Sequence, residues 1–293
     1  MGPSITVLPV KKIRWDFDKK VELLRYPHVH TVCEESRCPN RHECSSLGMA
    51  TFLIGGKICT RSCRFCHIAT GKPTKLDFIA AEEKQDILQY VKEKKLAFVV
   101  ITSVARDDAE LALAEHFADI SNTLWEIGVE SELLIPDFHV RADCLNIIGR
   151  SHCLVVAHNM ETVRRLSKEV RPQADYERSL RVYNFFKENY PSKIIKGGFM
   201  VGLGETMEEI FELLRDMRSH GVEIVTVGQY LRPSIRERQV SRFYSSDEFR
   251  QIEHYIKELS FAGWEVGPFV RSSYLASRTI EKIRQQKELG QKT

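Results

Sequence analysis

From Ala50 onward the chain alternates between short apolar runs bounded by glycine and helix-length amphipathic runs, and this alternation limits the folds open to it. The apolar runs are TFLIGG (51–56), LAFVVITSV (96–104), SELLIPDF (131–138), CLVVAHN (153–159), GGFMVGLG (197–204), EIVTVGQYL (223–231) and WEVGPFV (264–270). The amphipathic runs fall at 82–95, 107–128, 175–189, 206–221 and 245–263. Strand followed by helix, repeated, gives βαβ units, a parallel sheet and right-handed crossovers, with function on the loops beyond the strand C-termini. Six or so such units predict an open α/β architecture, a partial (β/α)6-type TIM barrel, rather than a closed eight-fold one. Thr206 or Ser246 is placed to cap a first helical turn, with Glu209 or Phe249 three residues on, so only the first makes a capping box. Gly221 and Gly263 stand where helices should stop.

Residues 1 to about 50 lack periodicity and are rich in His, Cys, Pro and Arg, the mark of an irregular segment that needs something external to order it. The expected organisation is an N-terminal extension over 1–50, a partial barrel over 51–270 and a short C-terminal segment over 271–293. Lys and Arg number 43 against 40 Asp and Glu, and the net +3 is spread along the chain without a basic tract, so nucleic acid is not the expected partner. No run approaches the roughly 20 apolar residues of a membrane span. The first twenty residues read neither as a secretory signal nor as a transit peptide. The expected location is therefore cytoplasmic, where eight cysteines point to metal binding or catalysis rather than to structural disulfides.

Six of those eight lie between positions 33 and 66. Cys59, Cys63 and Cys66 form C-x-x-x-C-x-x-C directly after the first apolar run. Three thiolates on one short loop can each grip one corner of a cubane iron–sulfur cluster and leave the fourth iron open. A structural zinc site is the alternative, but it wants four ligands, and His67 can supply the fourth only by bending back on Cys66. The loop, with Phe65 before its last cysteine, resembles the signature of the radical S-adenosylmethionine superfamily. The resemblance implies that the open iron binds the amino and carboxylate groups of S-adenosylmethionine. It implies, too, that an electron from the cluster cleaves the bound molecule to a 5′-deoxyadenosyl radical, which abstracts hydrogen from an unactivated C–H bond.

Cys33, Cys38 and Cys44 form a second triplet, whose spacing matches neither the common zinc sets nor the helix period. Together with the first, and followed by GMATFLIGGKICTRSCRFC, it is similar to the lipoyl synthase family. That resemblance implies an auxiliary [4Fe–4S] cluster on these three cysteines, with Ser273, from Arg271-Ser272-Ser273-Tyr274, as fourth ligand. A serine oxygen is harder than thiolate and suits iron in a sulfur cluster poorly, which fits a cluster that is consumed as the sulfur source. Without the second triplet, Ser272 and Ser273 read as a hydroxyl pair capping a terminal helix.

The activity so implied is a sulfurtransferase reaction, insertion of sulfur at C6 and C8 of an octanoyl chain amide-linked to a lysine of a carrier domain, at the expense of two S-adenosylmethionine. The partners implied are octanoylated lipoyl carrier domains (the H-protein of glycine cleavage or the E2 subunits of 2-oxoacid dehydrogenases), a flavodoxin or ferredoxin reductant, and an iron–sulfur carrier protein. Arg232, Arg236 and Arg238 are candidates for meeting acidic carriers, or are a solvated charged loop.

Further segments match the same family. SVARDD (103–108) puts Arg106 and Asp107 where charged groups meet a barrel mouth, or makes them a surface pair. HNMET (158–162) offers Asn159 and Glu161 as hydrogen-bonding groups for the cofactor. MVGLGET (200–206) sets Gly202 and Gly204 for close backbone approach to the adenine. GQYLRPS (228–234) completes the series. The chain also departs from the pattern. AELALAEHF replaces the usual glycine-bearing turn after Arg-Asp-Asp and should lengthen a helix there. Leu275 replaces a common histidine, and Lys196-Gly197-Gly198 replaces Lys-Ser-Gly. Cys144 and Cys153 fall outside both triplets, and Cys153 reads as a small buried apolar residue. A biotin synthase-like enzyme would have no place for the N-terminal triplet or the RSSY motif. The barrel pattern argues against a non-catalytic iron–sulfur or zinc protein.

Overall fold

The computed structural model describes residues 26–36, 38–40, 44, 50–76 and 79–290; most of the expected N-terminal extension and positions 291–293 lie outside the described residues. All seven apolar runs form strands, and they line up in chain order. A short β1 (His30–Thr31) pairs antiparallel with β2 (Ala50–Ile54). Then β3 (Phe98–Ser103), β4 (Glu130–Leu134), β5 (Val155–Glu161), β6 (Ile194–Val201), β7 (Ile224–Gln229) and β8 (Gly263–Gly267) follow, each parallel to its predecessor. Among the described residues β8 pairs only with β7, so the sheet curls without closing. The expected partial barrel is the architecture, and β8 adds a seventh parallel strand to its six-unit body.

The helices alternate as the pattern requires. After α1 (Val32–Glu35) come α2 (Ala80–Lys94), α3 (Glu110–Glu126), α4 (Ala142–Arg150), α5 (Arg164–Val170), α6 (Tyr176–Asn189), α7 (Met207–Ser219), α8 (Ser246–Glu258) and α9 (Ala276–Gly290). Thr206 caps α7 in a capping box with Glu209. The cap of α8 is Ser245 rather than Ser246, and Glu248 three residues on makes a second box. Glu248 decides this, because its side chain accepts the Ser245 N–H at 2.8 Å, a bond that Phe249 could not return to Ser246. Gly221, at φ +98°, follows the end of α7, whereas Gly263 opens β8 and the left-handed residue after α8 is Ser260. The altered segment after Asp108 is helical from Glu110, where α3 begins.

Side-chain parity separates the two faces of the sheet. A Cβ on Gly197 would strike Met217 of α7 and Tyr183 of α6, and Ser131 meets Ser121 of α3, so these positions face the helices. Lys196 and Glu132, one residue away, therefore face the lumen, where Lys196 Nζ lies 2.8 and 2.9 Å from the two Glu132 oxygens. Burial pushes the Glu132 carboxyl upward, with Lys196 opposing it.

Helix α9 closes the lower end of the barrel. Its Ile280 and Ile283 pack with Val155 and Ile224, the first residues of β5 and β7, and against Phe98 and Ile194, which begin β3 and β6. A Cβ on Gly263 would lie 2.8 Å from Thr279 and 3.0 Å from Ile283, so the residue that opens β8 must be small. The upper end, at the strand C-termini, is left for chemistry.

Candidate active site

The chain leaves β2 through Gly55 and Gly56, at φ +81° and +85°, a region open to glycine. Glu83 of α2 accepts both of their N–H groups, at 2.9 and 2.8 Å, and its Oε2 is 3.0 Å from His116 Nε2. The loop that follows is closed at its base, where Cys59 donates to Ala69 O at 2.8 Å and Gly71 donates to Cys59 O at 3.1 Å. At its tip Cys66 N–H donates to Cys63 O at 3.0 Å. Cys59 Sγ receives backbone N–H groups from Arg61 at 3.4 Å and Ala105 at 3.3 Å.

Arg61, between the first two cysteines, anchors this loop. Its Nε and Nη2 reach Asp107 at 2.7 to 3.0 Å, and its Nη1 and Nη2 reach Asp137 at 3.0 and 2.7 Å. Arg178 of α6 donates to Asp137 at 2.9 Å. Burial pushes the Asp137 carboxyl up, but the hydrogen bonds and charge of Arg61 outweigh it and hold the group below its usual range. Asp137 also accepts His139 N–H, capping a one-turn 3-10 helix (Phe138–Val140) in which three successive non-glycine residues have φ of +43°, +46° and +57°. Such strain persists only where surrounding contacts fix it. His139 Nδ1 is held 2.6 Å from Glu110 Oε1, so the helix that the altered segment starts also braces this turn.

The C-terminal end of β5 supplies the next wall. A bulge separates Asn159 from Glu161, which stands at φ +64°, and Asn159 Nδ2 donates to Glu161 Oε1 at 3.0 Å. Burial raises the Glu161 carboxyl and lowers the guanidinium of Arg171, whose charge opposes that of Glu161. Arg171 donates to Asn159 O at 3.0 Å and to Ser179 Oγ at 2.9 Å. Beyond β6, the Glu205 carboxylate accepts the N–H groups of Gly202 and Leu203 at 2.5 and 2.9 Å. Gly202 and Gly204 sit at φ +101° and +114°, and a Cβ on Gly202 would fall 2.0 Å from Gln229 Nε2. The loop after β7 folds over the cysteine loop, with Arg238 N–H donating to Arg64 O at 2.8 Å and His67 Nδ1 2.9 Å from Glu237 Oε1. His67 Nδ1 is thus engaged with a carboxylate.

The second triplet meets the C-terminal segment here. Cys38 N–H donates to Cys33 O at 3.0 Å and Cys44 N–H to Asn40 O at 2.9 Å. A hydrogen bond to Cys38, then burial, then the charges of Cys38 and Cys44 push the Cys33 thiol upward, so the three sulfurs are neighbours. Asn40 Nδ2 donates to Phe269 O at 2.5 Å, tying this segment to the chain after β8. Arg271, lowered by burial, feels the charge of Cys38, and a Cβ on Gly228 would collide with Val270 O at 2.0 Å. The RSSY motif therefore crosses the mouth beside the second triplet, and Ser273 Oγ has no hydrogen-bond partner among the described residues.

Other expected residues find different settings. Arg106 is buried and turned inward, donating to Gly55 O at 3.0 Å, Thr74 O at 2.8 Å and Asp108 at 3.0 Å. It braces the two ends of the cysteine loop, and the charge at the mouth is the Arg61–Asp107 pair. Arg232 and Arg238 spend their guanidinium groups on carbonyls of Glu237, Ile235 and Leu203 and on Glu169. Cys144 and Cys153 are buried, at 0% and 2% exposure. Sequence reasoning missed Arg61, Glu83, Asp137 and Arg171; a charged residue at a strand C-terminus was the available signal for Asp137.

Two observations test whether these residues fit the groups that the motifs imply. Burial pushes the Cys63 thiol up to about 12, with Cys66 and Cys59 adding to it, and the Cys66 thiol up to about 11, with Cys59 adding to it, so the loop gathers its sulfurs in one shielded place. Among the described residues, the buried side-chain atoms left without a partner are Ser103 Oγ, Thr162 Oγ1, Glu237 Oε2 and Arg238 Nε. All four lie at strand C-termini or on the loop over the mouth, where a bound group would supply partners. The donor set fits.

Comparison with known proteins agrees with this geometry. The family model "Radical SAM superfamily" matches residues 53–217. A lipoyl synthase of Dechloromonas aromatica is 44% identical over 265 residues, covering 89% of this chain and 83% of that one. A second, from Actinobacillus pleuropneumoniae, is 45% identical over 256 residues, covering 86% and 77%. Among solved structures, Streptococcus suis SuiB bound to S-adenosylmethionine is similar in fold, with a TM-score of 0.55 at 15% identity over 83% of this chain and 58% of that one.

Proposed function

Because this chain belongs to the lipoyl synthase family of the radical S-adenosylmethionine superfamily, we propose that its two cysteine triplets divide one reaction between them. The chain is a sulfurtransferase that inserts sulfur at C6 and C8 of a protein-bound octanoyl-lysine and works with two [4Fe–4S] clusters and S-adenosylmethionine. When bound, these groups supply the hydrogen-abstracting radical and the sulfur. Cys59, Cys63 and Cys66 would hold the radical-generating cluster; Cys33, Cys38 and Cys44, with the Ser273 hydroxyl, would hold the auxiliary one. The observation that supports this division most is that the second triplet's segment is tied to the chain after β8 by Asn40 on Phe269 O, where Arg271 of the RSSY segment feels the charge of Cys38 and donates to Gln229 O at the C-terminal end of β7.

The protein's own residues then bind, orient and shield. Arg61, Glu83 and Arg106 fix the first loop from three sides, so its cysteines are held before any ligand arrives. Asn159 and Glu161 offer an amide and a carboxylate for the amino-acid part of the cofactor, and Gly202 and Gly204 allow the backbone to approach its adenine. Arg171 holds Asn159 by its carbonyl and sets a positive charge beside Glu161. The organisation proposed is an auxiliary-cluster extension over 1–50, the barrel over 51–270 and the RSSY segment over 271–293. Carrier domains of the H-protein or E2 kind supply the substrate, a flavodoxin or ferredoxin the electron, and an iron–sulfur carrier the replacement cluster, all in the cytoplasm. Among the described residues no helix is long and apolar enough to cross a membrane.

The test is anaerobic turnover with an octanoylated carrier, followed by mass spectrometry for replacement of two hydrogens by two sulfurs. Reconstituted protein should hold about eight irons per chain. Cys63→Ala should abolish 5′-deoxyadenosine formation, whereas Cys38→Ala should still cleave S-adenosylmethionine and form no lipoyl product. Undiminished cleavage by the first variant, or full lipoyl formation by the second, refutes the division of labour.

A further inference from the structure

Among the described residues, the large apolar side chain most open to solvent is Ile235, at 88% exposure, well above Trp125 at 51% and Phe243 at 42%. Single exposed apolar residues are ordinary on flexible surfaces, but this one is held in place. Arg232 gives its guanidinium to the carbonyls of Ile235 and, at 2.8 Å, Glu237. Arg236 N–H donates to Ser234 Oγ at 3.2 Å, and Tyr230 Oη donates to Arg238 O at 2.8 Å. The turn 234–237 is therefore preorganised around an isoleucine that contributes no burial to the fold. Its neighbour Arg236 makes no ion pair among the described residues, whereas Arg232 and Arg238 are spent internally. The turn thus presents one apolar knob beside one uncommitted cation.

Its position gives the knob a purpose. The same loop bonds to the first cysteine loop through Arg238 N–H to Arg64 O and through the Glu237–His67 contact. Whatever seats on Ile235 sits at the rim of the mouth that holds the thiols. The substrate proposed above is an acyl chain carried on a folded domain, so a second protein must press against that rim each time a chain enters. We infer that the turn 234–237 is the docking contact for this carrier domain. Ile235 inserts into an apolar depression beside the acylated lysine, and Arg236 pairs with a carboxylate next to it. The inference rests on the functional reading and goes beyond it by naming the surface.

Ile235→Asp and Arg236→Glu test it, since both positions are exposed and leave the fold intact. Kinetics of the reconstituted holoenzyme are compared on an octanoylated carrier domain and on a short octanoyl-lysyl peptide. The expected result is a rise of about 10-fold or more in KM for the carrier domain in each variant, with kcat at saturation and KM for the peptide unchanged. Raising ionic strength should raise the wild-type KM for the carrier and lower that of Arg236→Glu, whose repulsion from the partner carboxylate salt screens. An unmoved KM for the carrier overturns the inference. So does an equal rise for the peptide, which would place the turn in the pocket. So does loss of self-association with carrier kinetics intact, which would assign the knob to a second copy of the chain. If the wild type forms no lipoyl product from any octanoylated carrier, the functional reading itself fails, an outcome separate from these.

Discussion

Replacing Arg61 by glutamine removes a cation that joins the first cysteine loop to the carboxylates that follow β3 and β4. The Arg61 side chain is 7% exposed and its partner Asp137 1% exposed, so the variant leaves a buried carboxylate short of a partner. Loss of one member of a buried pair costs about 3–5 kcal/mol. Two features move the value to the lower end. Asp137 keeps Arg178 at 2.9 Å, and Asp107, at 28% exposure, can rehydrate. The expected loss is therefore about 3 kcal/mol for Arg61→Gln, and about 1–2 kcal/mol for Arg61→Lys, which keeps the charge but reaches only one carboxylate. The assay is urea unfolding of the apoprotein alongside iron content after anaerobic reconstitution. Because Arg61 lies between Cys59 and Cys63, iron should fall by up to half, from the first triplet only, with glutamine worse than lysine. An Arg61→Gln protein within about 0.5 kcal/mol of wild type and with full iron content would refute the anchoring role.

Two further outcomes follow from buried groups away from the thiols. Lys196→Met strands Glu132 in the lumen and should cost about 3–5 kcal/mol in urea unfolding, whereas Glu132→Leu/Lys196→Met should recover most of it; a neutral single variant would contradict the buried pair. Burial draws the pKa of His158 down to about 4, below the 6.5 of the unfolded chain. The unfolded state then binds the proton first, so stability is full above pH 6.5 and declines by roughly 3 kcal/mol as pH falls toward 4. Melting temperature against pH should show this slope in wild type and a flatter one in His158→Gln, and parallel curves would exclude the assignment.

The strands were legible because parallel strands buried on both faces leave continuous apolar runs, and each run from 51–56 to 264–270 overlaps one. Helices that cover a long stretch of sheet were legible for the same reason. The missed ones bury little: α4 and α5 span nine and seven residues, and of the described side chains on α9 only Ala276, Thr279, Ile280 and Ile283 are buried, because it caps an end of the barrel rather than a face. The thiol triplets were legible as spacing. What holds them was not, since Arg61 reaches partners 46 and 76 positions away and no local period reports that distance. Arg106 shows the complementary limit. Its residue type announces charge, but the bend after β3 decides which of two adjacent residues faces the mouth, and it is Asp107 that does.

The C-terminal segment links the two ends of the barrel. Within about ten residues the chain passes from Arg271, against Cys38 at the mouth, to Ile280, packed on the first residues of β5 and β7 at the base. With Ile280 and Ile283 closing the base and the paired Lys196 and Glu132 in the lumen, the proposed route for an acyl chain is from the mouth. Both proposed clusters lie on that side. The two carbons to be modified, C6 and C8, are separated by a single methylene, so a chain bound there can face both sites without being released between insertions. A second hydrogen abstraction on a released intermediate would require the carrier to redock. In the proposed division, both triplets serve one opening and that requirement is removed.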